Sequence, residues 1–343
     1  MNRIPGNRVG KAFAVSLMAL FYFIGATGAA QEPEAITIAT GRVGGLYYPV
    51  GDAICDIINE NRDERGPTCT VQITVGSIEN IERLRKGEVK LALAQSDWQH
   101  DAFKGSGLFE ADGPFAELRS VLAIYVENLT VVARGDRNFK TFEDLKGQRV
   151  FMGSPGSGRR PLMQVAMKAY GWTPDAVIDV TEFKAANLAQ ALCDHEFDAF
   201  IDTIGHPNPI AKEAMATCDA ELLPVAGPGI AKLIEEQPFY VTSVIPGDLY
   251  PGHSQEVPTL GVVATLLARA ETRPEIIHHI VKAFFESLDG LRKASPIFSS
   301  LRQEDMFEIG LTAPLHEGVL KYLSELDIKP SPHLSIPPEE SAG

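Results

Sequence analysis

A chain of 343 residues, 45% hydrophobic and 22% charged, is long enough for two domains with sizeable cores. Its formal net charge of −14 and pI near 5.1 argue against nucleic-acid binding, which calls for a basic face. The N-terminus reads as a secretory leader: Arg3, Arg8 and Lys11 precede the apolar run "AFAVSLMALFYFI" (12–24), and "ATGAA" (26–30) offers small residues for cleavage after Ala30. That run is shorter than the roughly 20 apolar residues a membrane-spanning helix needs. No cysteine stands near the cut, so a lipid anchor is not expected, and no later stretch is apolar enough to span a membrane. Losing 1–30 removes three basic residues and no acidic ones, leaving the mature, periplasmic chain more acidic still.

Beyond the leader, short β-rich runs alternate with helical patterns. The expected strands are 35–40, 70–75, 90–95, 119–125, 129–134, 149–153, 198–204 and 260–268. The expected helices lie near 48–60, 78–86, 158–170, 184–195, 208–216 and 274–293. This alternation argues for an α/β fold with mostly parallel strands, and about 310 mature residues exceed one typical sheet domain, so two lobes are expected. Only the Pro/Ser-rich tail, 329–343, reads as loose.

Four turns in this frame carry chemistry. "TGRVGGLYYPVG" (40–51) follows the first strand and opens a helix, where free N–H donors and the helix dipole favour an anion. Thr40, Gly41, Gly44 and Gly45 allow the tight turn, and Tyr47 and Tyr48 add aromatic surface with hydroxyls. Its G-x-x-G-G spacing is not the dinucleotide fingerprint. "GSIEN" (76–80) ends a strand and presents Asn80, and Gln95 closes "LALAQ". "GSPGSGRR" (153–160) nearly matches a P-loop, but Arg159 and Arg160 stand where Lys and Ser/Thr belong. Pro155 also excludes a G-x-S-x-G nucleophile elbow. What survives is a nest of donors at Gly156, Ser157 and Gly158 beside Arg160, whose fork matches a carboxylate. "DTIGHPNP" (202–209) contributes His206 as a further candidate donor. No set of residues announces a catalytic triad or a metal site, and no cofactor is expected. The four cysteines, Cys55, Cys69, Cys193 and Cys218, allow three pairings that sequence alone cannot choose between; sequence-local pairing is the simplest.

Most of the mature chain resembles the solute-binding proteins of TRAP transporters, in their TAXI branch. The stretches that carry the resemblance are "GGLYYPVGDAIC", "GSIENIERLRKGEVKLALAQSDWQ", "FKTFEDLKGQRVFMGSPGSGRR", "QALCDHEFDAF", "GHPNPIAKEA" and "HIVKAFFESLDGL". The resemblance implies a two-lobed type II periplasmic binding fold, one lobe built from 34–127 plus 242–325 and the other from 128–241. It implies a small carboxylate ligand, a glutamate-like amino acid or a 2-oxoacid, held in the cleft and delivered to membrane subunits by a monomer that is not an enzyme. It carries Gly45, Tyr47, Tyr48, Asn80, Gln95, Gly156, Ser157, Gly158 and Arg160 to the cleft, with His206 in the matching "GHP", and it favours Cys55–Cys69 and Cys193–Cys218. Arg159 departs from the family, which usually has Thr or Gln there; it implies either a solvated side chain or a more cationic cleft. Two rivals stand beside this reading: a sensory binding protein feeding a receptor, and an enzyme on the same fold with Asp97 or Asp202 as its acid or base.

Overall fold

The computed structural model describes residues 35–43, 45–62, 66–153, 159–180 and 187–335. The leader, Gly44 and the 156–158 donors therefore lie outside the described residues.

The chain begins with three parallel strands, β1 Ala35–Ala39, β2 Thr68–Gln72 and β3 Leu91–Gln95. Parallel neighbours need a crossover, and helices α1 Tyr47–Glu60 and α2 Ser77–Arg85 provide it. Helix α3, Ser96–Lys104, follows β3 directly. Strand β4, Leu118–Ala133, then runs for 16 residues. After it come β5 Arg149–Phe151, α4 Arg159–Ala169, β6 Ile178–Asp179, α5 Leu188–Cys193, β7 Ala199–Ile204, α6 Pro209–Cys218, β8 Glu221–Leu223, α7 Pro228–Glu236 and β9 Tyr240–Ile245. The 13-residue β10, Val257–Arg269, and helices α8 Pro274–Ala294 and α9 Glu317–Glu325 complete the series. Pro274 starts α8 where its missing N–H costs nothing, and Ile277, Ile280, Val281, Phe284, Leu288 and Leu291 then line one face at helical spacing.

The described strands form one sheet in the order β2-β1-β3-β10-β4-β7-β5-β6, with β9 on β10 and β8 on β4. Its antiparallel pairs are all made by β4 or β10; the pairs outside those two strands are parallel. Two groups of cores flank this sheet. Residues of β1, β3, α1, α8, α9 and the first part of β4 pack together, with a smaller cluster around Trp98, Phe109 and Phe115 behind them. Leu129, Val131, Phe142, Met163, Ile201 and Val262 form the second group, with Phe151, Phe197, Phe200 and Tyr250 on its far side. Packing changes from one group to the other after Val126 in β4 and between Val262 and Val263 in β10. This is the two-lobed α/β arrangement expected, with two long strands running through both lobes.

Several expectations are corrected. The strands expected at 119–125 and 129–134 are one, because the polar Glu127 and Asn128 between them stay in the ladder, opposite Val262 and Gly261. Segment 242–262, expected in the first lobe, packs with the second: Ile245, Tyr250 and Val257 lie with Phe197 and Phe200, and Leu260 and Val262 with Leu129. Residues 329–335 of the tail are docked, since Leu334 is fully buried and its carbonyl accepts from Leu315 N–H at 2.9 Å. Elements β6, β8, β9, α3, α7 and α9 were not legible in the sequence. Both local disulfides are present: Cys55–Cys69 ties α1 to β2, and Cys193–Cys218 ties the ends of α5 and α6. No described helix is long and apolar enough to cross a membrane.

Candidate functional site

The polar residues of the first lobe gather where β1, β2 and β3 end. Thr40 is fully buried, and its hydroxyl donates to Gln72 O at 2.8 Å. Its carbonyl accepts from the Thr74 hydroxyl at 3.0 Å and from the Asn80 amide at 2.5 Å. Asn80 also donates to Leu93 O at 2.7 Å and accepts from Thr74 at 2.6 Å. A buried amide with every partner filled is a strut. Gly51 completes the fit: a Cβ there would collide with the Thr40 side chain, so only glycine lets α1 cross the end of β1 this closely. Tyr47 is buried with its hydroxyl 3.3 Å from Ser77 Oγ, which accepts from Gln95 N–H at 3.1 Å. Tyr48 is half-buried, and Gly45 N–H turns back onto Arg42 O at 2.8 Å.

Glu127, at the point where β4 passes between lobes, was not singled out by sequence, although an acid within a long apolar strand is an anomaly worth reading. It is buried and accepts from Gln95 Nε2 at 2.6 Å and from the Tyr125 hydroxyl at 3.1 Å. Gln95 in turn accepts from Trp98 Nε1 at 3.1 Å. Burial pushes the Glu127 carboxyl up to about 7, against the pull of those two donors, and the charges of Asp97 and Asp202 push the same way. Asp97 is likewise raised to about 7, chiefly by burial.

The second lobe brings His206, Arg159 and Arg160. Tyr250 OH accepts from Asn208 N–H at 2.6 Å, so its own proton goes to His206 Nδ1. The Thr130 hydroxyl donates to Asn128 O at 3.1 Å, so it accepts from His206 Nε2–H at 2.8 Å. The ring is thus a neutral Nε2–H tautomer, in keeping with burial holding its pKa down at about 4. Arg160 differs from expectation. Its Nε donates to Gly153 O at 3.1 Å, and its Nη groups go to that same carbonyl and to both oxygens of Asp179. The fork expected for a ligand is filled from within. Arg159 instead pairs with the buried Asp202 of β7 at 3.4 Å.

These turns meet across the lobes. A side chain at Gly205, just after β7, would collide with Ile297 and press on Leu46 and Tyr125 of the first lobe. Gln95 reaches Glu127, and Arg42 of the first turn acts electrostatically on Asp202. Thr40, Asn80 and Gln95 therefore underlie the site as supports, while Tyr47, Arg159 and His206 stand near the β4 crossover. Surface grooves of about 380 Å³ beside Lys140, Glu221 and His253, and of about 370 Å³ beside Gly147 and Trp172, contain none of the expected ligand residues. Among the described residues no group of His, Cys, Asp and Glu is arranged to hold a metal ion.

The sequence model of the NMT1-like family matches residues 38–326. Among solved structures, the alkanesulfonate-binding protein SsuA from Xanthomonas axonopodis pv. citri, bound to MOPS, is 15% identical, with 86% of this chain and 92% of that chain covered at a TM-score of 0.44. The periplasmic aliphatic sulphonate binding protein SsuA from Escherichia coli is 16% identical, with 78% of each chain covered and a TM-score of 0.46. A structure from work on glutathione import via GshT and the cystine importer TcyBC of Streptococcus mutans is 12% identical, with 80% of this chain and 100% of that chain covered and a TM-score of 0.48.

Proposed function

The chain belongs to the NMT1-like family, and on that premise we propose that it is an extracytoplasmic solute-binding protein. It captures a small carboxylate, a glutamate-like amino acid or a 2-oxoacid, in the cleft between its lobes. It delivers that ligand, as a monomer, to the membrane subunits of a TRAP transporter of the TAXI branch, which take it up on an ion gradient. A leader read over 1–30 and two disulfides that suit an oxidising compartment support a periplasmic location.

The observation that carries this reading is convergence. Turns from both lobes meet where the sheet passes between them, bringing the Tyr47 hydroxyl, His206 and Arg159 together around β4. A neutral His206 whose two ring nitrogens are already engaged by Thr130 and Tyr250 is a poor general base. Such a site holds a ligand by closing on it; the hinge lies near 127–128 in β4 and 262–263 in β10. A thermal-shift screen of the mature chain against amino acids and keto acids tests the proposal. A bound acid at 100 times its dissociation constant adds about 2.7 kcal/mol of stability. A chain that no acid stabilises, or that turns a bound acid over, contradicts it.

A further inference from the structure

The two adjacent arginines are held in opposite ways. Arg160 spends its guanidinium on Gly153 O and on both oxygens of Asp179, partners on its own side of the turn. Arg159 is nearly as buried, with 21% of its side chain exposed, yet its one ion pair to a described residue is the 3.4 Å approach to Asp202, and it makes no hydrogen bond to any of them. A guanidinium carries five donors. Among the described residues, therefore, nothing else takes up the Arg159 fork at the start of α4.

Asp202 is the other half of the arrangement. It lies on β7, is buried, and accepts one hydrogen bond, from Thr203 N–H at 2.9 Å. Across the β4–β7 ladder its direct partner is Thr130, which carries His206. Burial drives its proton affinity up; Arg159 opposes that, and Arg42 adds to the opposition. Arg42 belongs to the 40–51 turn and Arg159 to the 153–160 turn. The same aspartate thus feels one arginine from each of these turns, with Arg159 alone within ion-pair reach among the described residues. A half-buried cation without a counter-ion is costly, so something must accompany Arg159 while the cleft is empty.

We infer that Arg159, and not Arg160, is the side chain that recognises the ligand's anionic group, and that Asp202 is its resident counter-ion, exchanged for the ligand on binding. The inference rests on the solute-binding reading above and assigns its specificity to a residue where this chain departs from the family it resembles. The exchange forms one carboxylate–guanidinium pair and loosens another, leaving Asp202 with the Thr203 N–H and the longer-range attraction of Arg42. Arg160 is a positioning residue, fastening Gly153 and β6 to the first turn of α4.

The test uses the mature full-length chain and four probes, L-glutamate, L-glutamine, 2-oxoglutarate and pyruvate, with calorimetry on whichever binds wild type. Arg159→Gln should weaken that acid by about 30-fold or more, as expected for losing one partner of a buried charge pair. Arg159→Lys, which keeps the charge without the fork, should fall between the two. Asp202→Asn should do two opposite things. It should lower the melting temperature of the empty protein, because Arg159 loses its counter-ion, and it should tighten binding several-fold, because the competitor is gone. In Arg159→Gln/Asp202→Asn that tightening should vanish. Arg160→Gln should weaken binding less than Arg159→Gln. Circular dichroism of each variant confirms the fold, and Arg159→Lys serves if Arg159→Gln does not fold. Asp202→Asn weakening the acid as severely as Arg159→Gln would make Asp202 a direct ligand contact and overturn the exchange. Loss of binding on Arg160→Gln with Arg159→Gln intact overturns the assignment of the arginine. An acid that binds regardless of Arg159 sinks this inference alone, whereas a wild-type chain that binds none of the four sinks the carboxylate reading with it.

Discussion

The two lobes treat their polar cleft residues differently. In the first, Thr40, Thr74 and Asn80 satisfy one another and the ends of three strands through hydrogen bonds of 2.5–3.0 Å. In the second, Arg159 and Asp202 meet at 3.4 Å, and Arg159 donates no hydrogen bond to any described residue. Side chains whose partners are all internal hold a scaffold, and side chains with spare donors are the ones a ligand can recruit. The two residue sets look alike in sequence, polar side chains at or near the ends of strands.

The sharpest way to break the comparison is Asn80→Ala. It removes three buried hydrogen bonds, to Thr40 O, to Leu93 O and from the Thr74 hydroxyl, so urea unfolding should show a loss of roughly 3–5 kcal/mol, from bonds at about 0.5–1.5 kcal/mol each plus the cavity. A loss under about 1 kcal/mol would mean that Asn80 is not a strut.

The boundary between the lobes offers the next test. The Glu127 carboxyl is raised from 4.5 to about 7, so the folded chain holds a proton there that the unfolded chain has released. The stabilisation is fully present below about pH 4.5 and is lost as pH rises through 7. At about 1.4 kcal/mol per pKa unit the loss amounts to about 3 kcal/mol. Glu127→Gln should flatten this dependence, making the variant relatively more stable at pH 8 than at pH 5. Melting temperatures across that range check it; an unchanged slope would place the titration elsewhere, with Asp97 the first suspect.

The disulfides compare the lobes directly. Cys55–Cys69 closes 14 residues and Cys193–Cys218 closes 25, so chain entropy gives each about 3 kcal/mol, the second slightly more. Paired Cys→Ser variants, melted separately, should lose similar stability. A strongly unequal loss would show that one bridge also carries packing. Smallest is Tyr250→Phe, which removes the acceptor of Asn208 N–H and the donor to His206. About 1–2 kcal/mol of stability should go. Ligand affinity should fall as well if His206 takes part in binding; a purely structural His206 would leave affinity unchanged.

Much of this molecule was legible from its sequence. The alternation of β-rich runs with helical patterns announced an α/β chain, because period-2 and period-3.6 burial leave different apolar spacings. Strands β1, β3, β7 and β10 and helices α1, α2, α4, α6 and α8 came out within a few residues of where they stand. Elements with weaker patterns did not. Helix α3 reads "SDWQHDAFK", mostly polar, and exists because Trp98 and Ala102 pack behind β3. Strands β6 and β8 are two and three residues long, too short for any period to show.

The turns around 40–51, 76–80, 153–160 and 202–209 were legible as places where strands end, because glycine, proline and short polar residues mark turns by their own backbone chemistry. Which of those residues face outward was not evident. Nothing local distinguishes Asn80, locked under Thr40, from His206 beside Thr130, nor Arg160 on Asp179 from Arg159 on Asp202. Each pairing joins residues 19 to 76 positions apart, or is set by a partner that is. Local sequence determines which chemistry a turn can offer. Only the tertiary structure decided which of it is spent internally, because a hydrogen-bond partner is chosen by proximity in space, and proximity here is created by two long strands that carry both lobes.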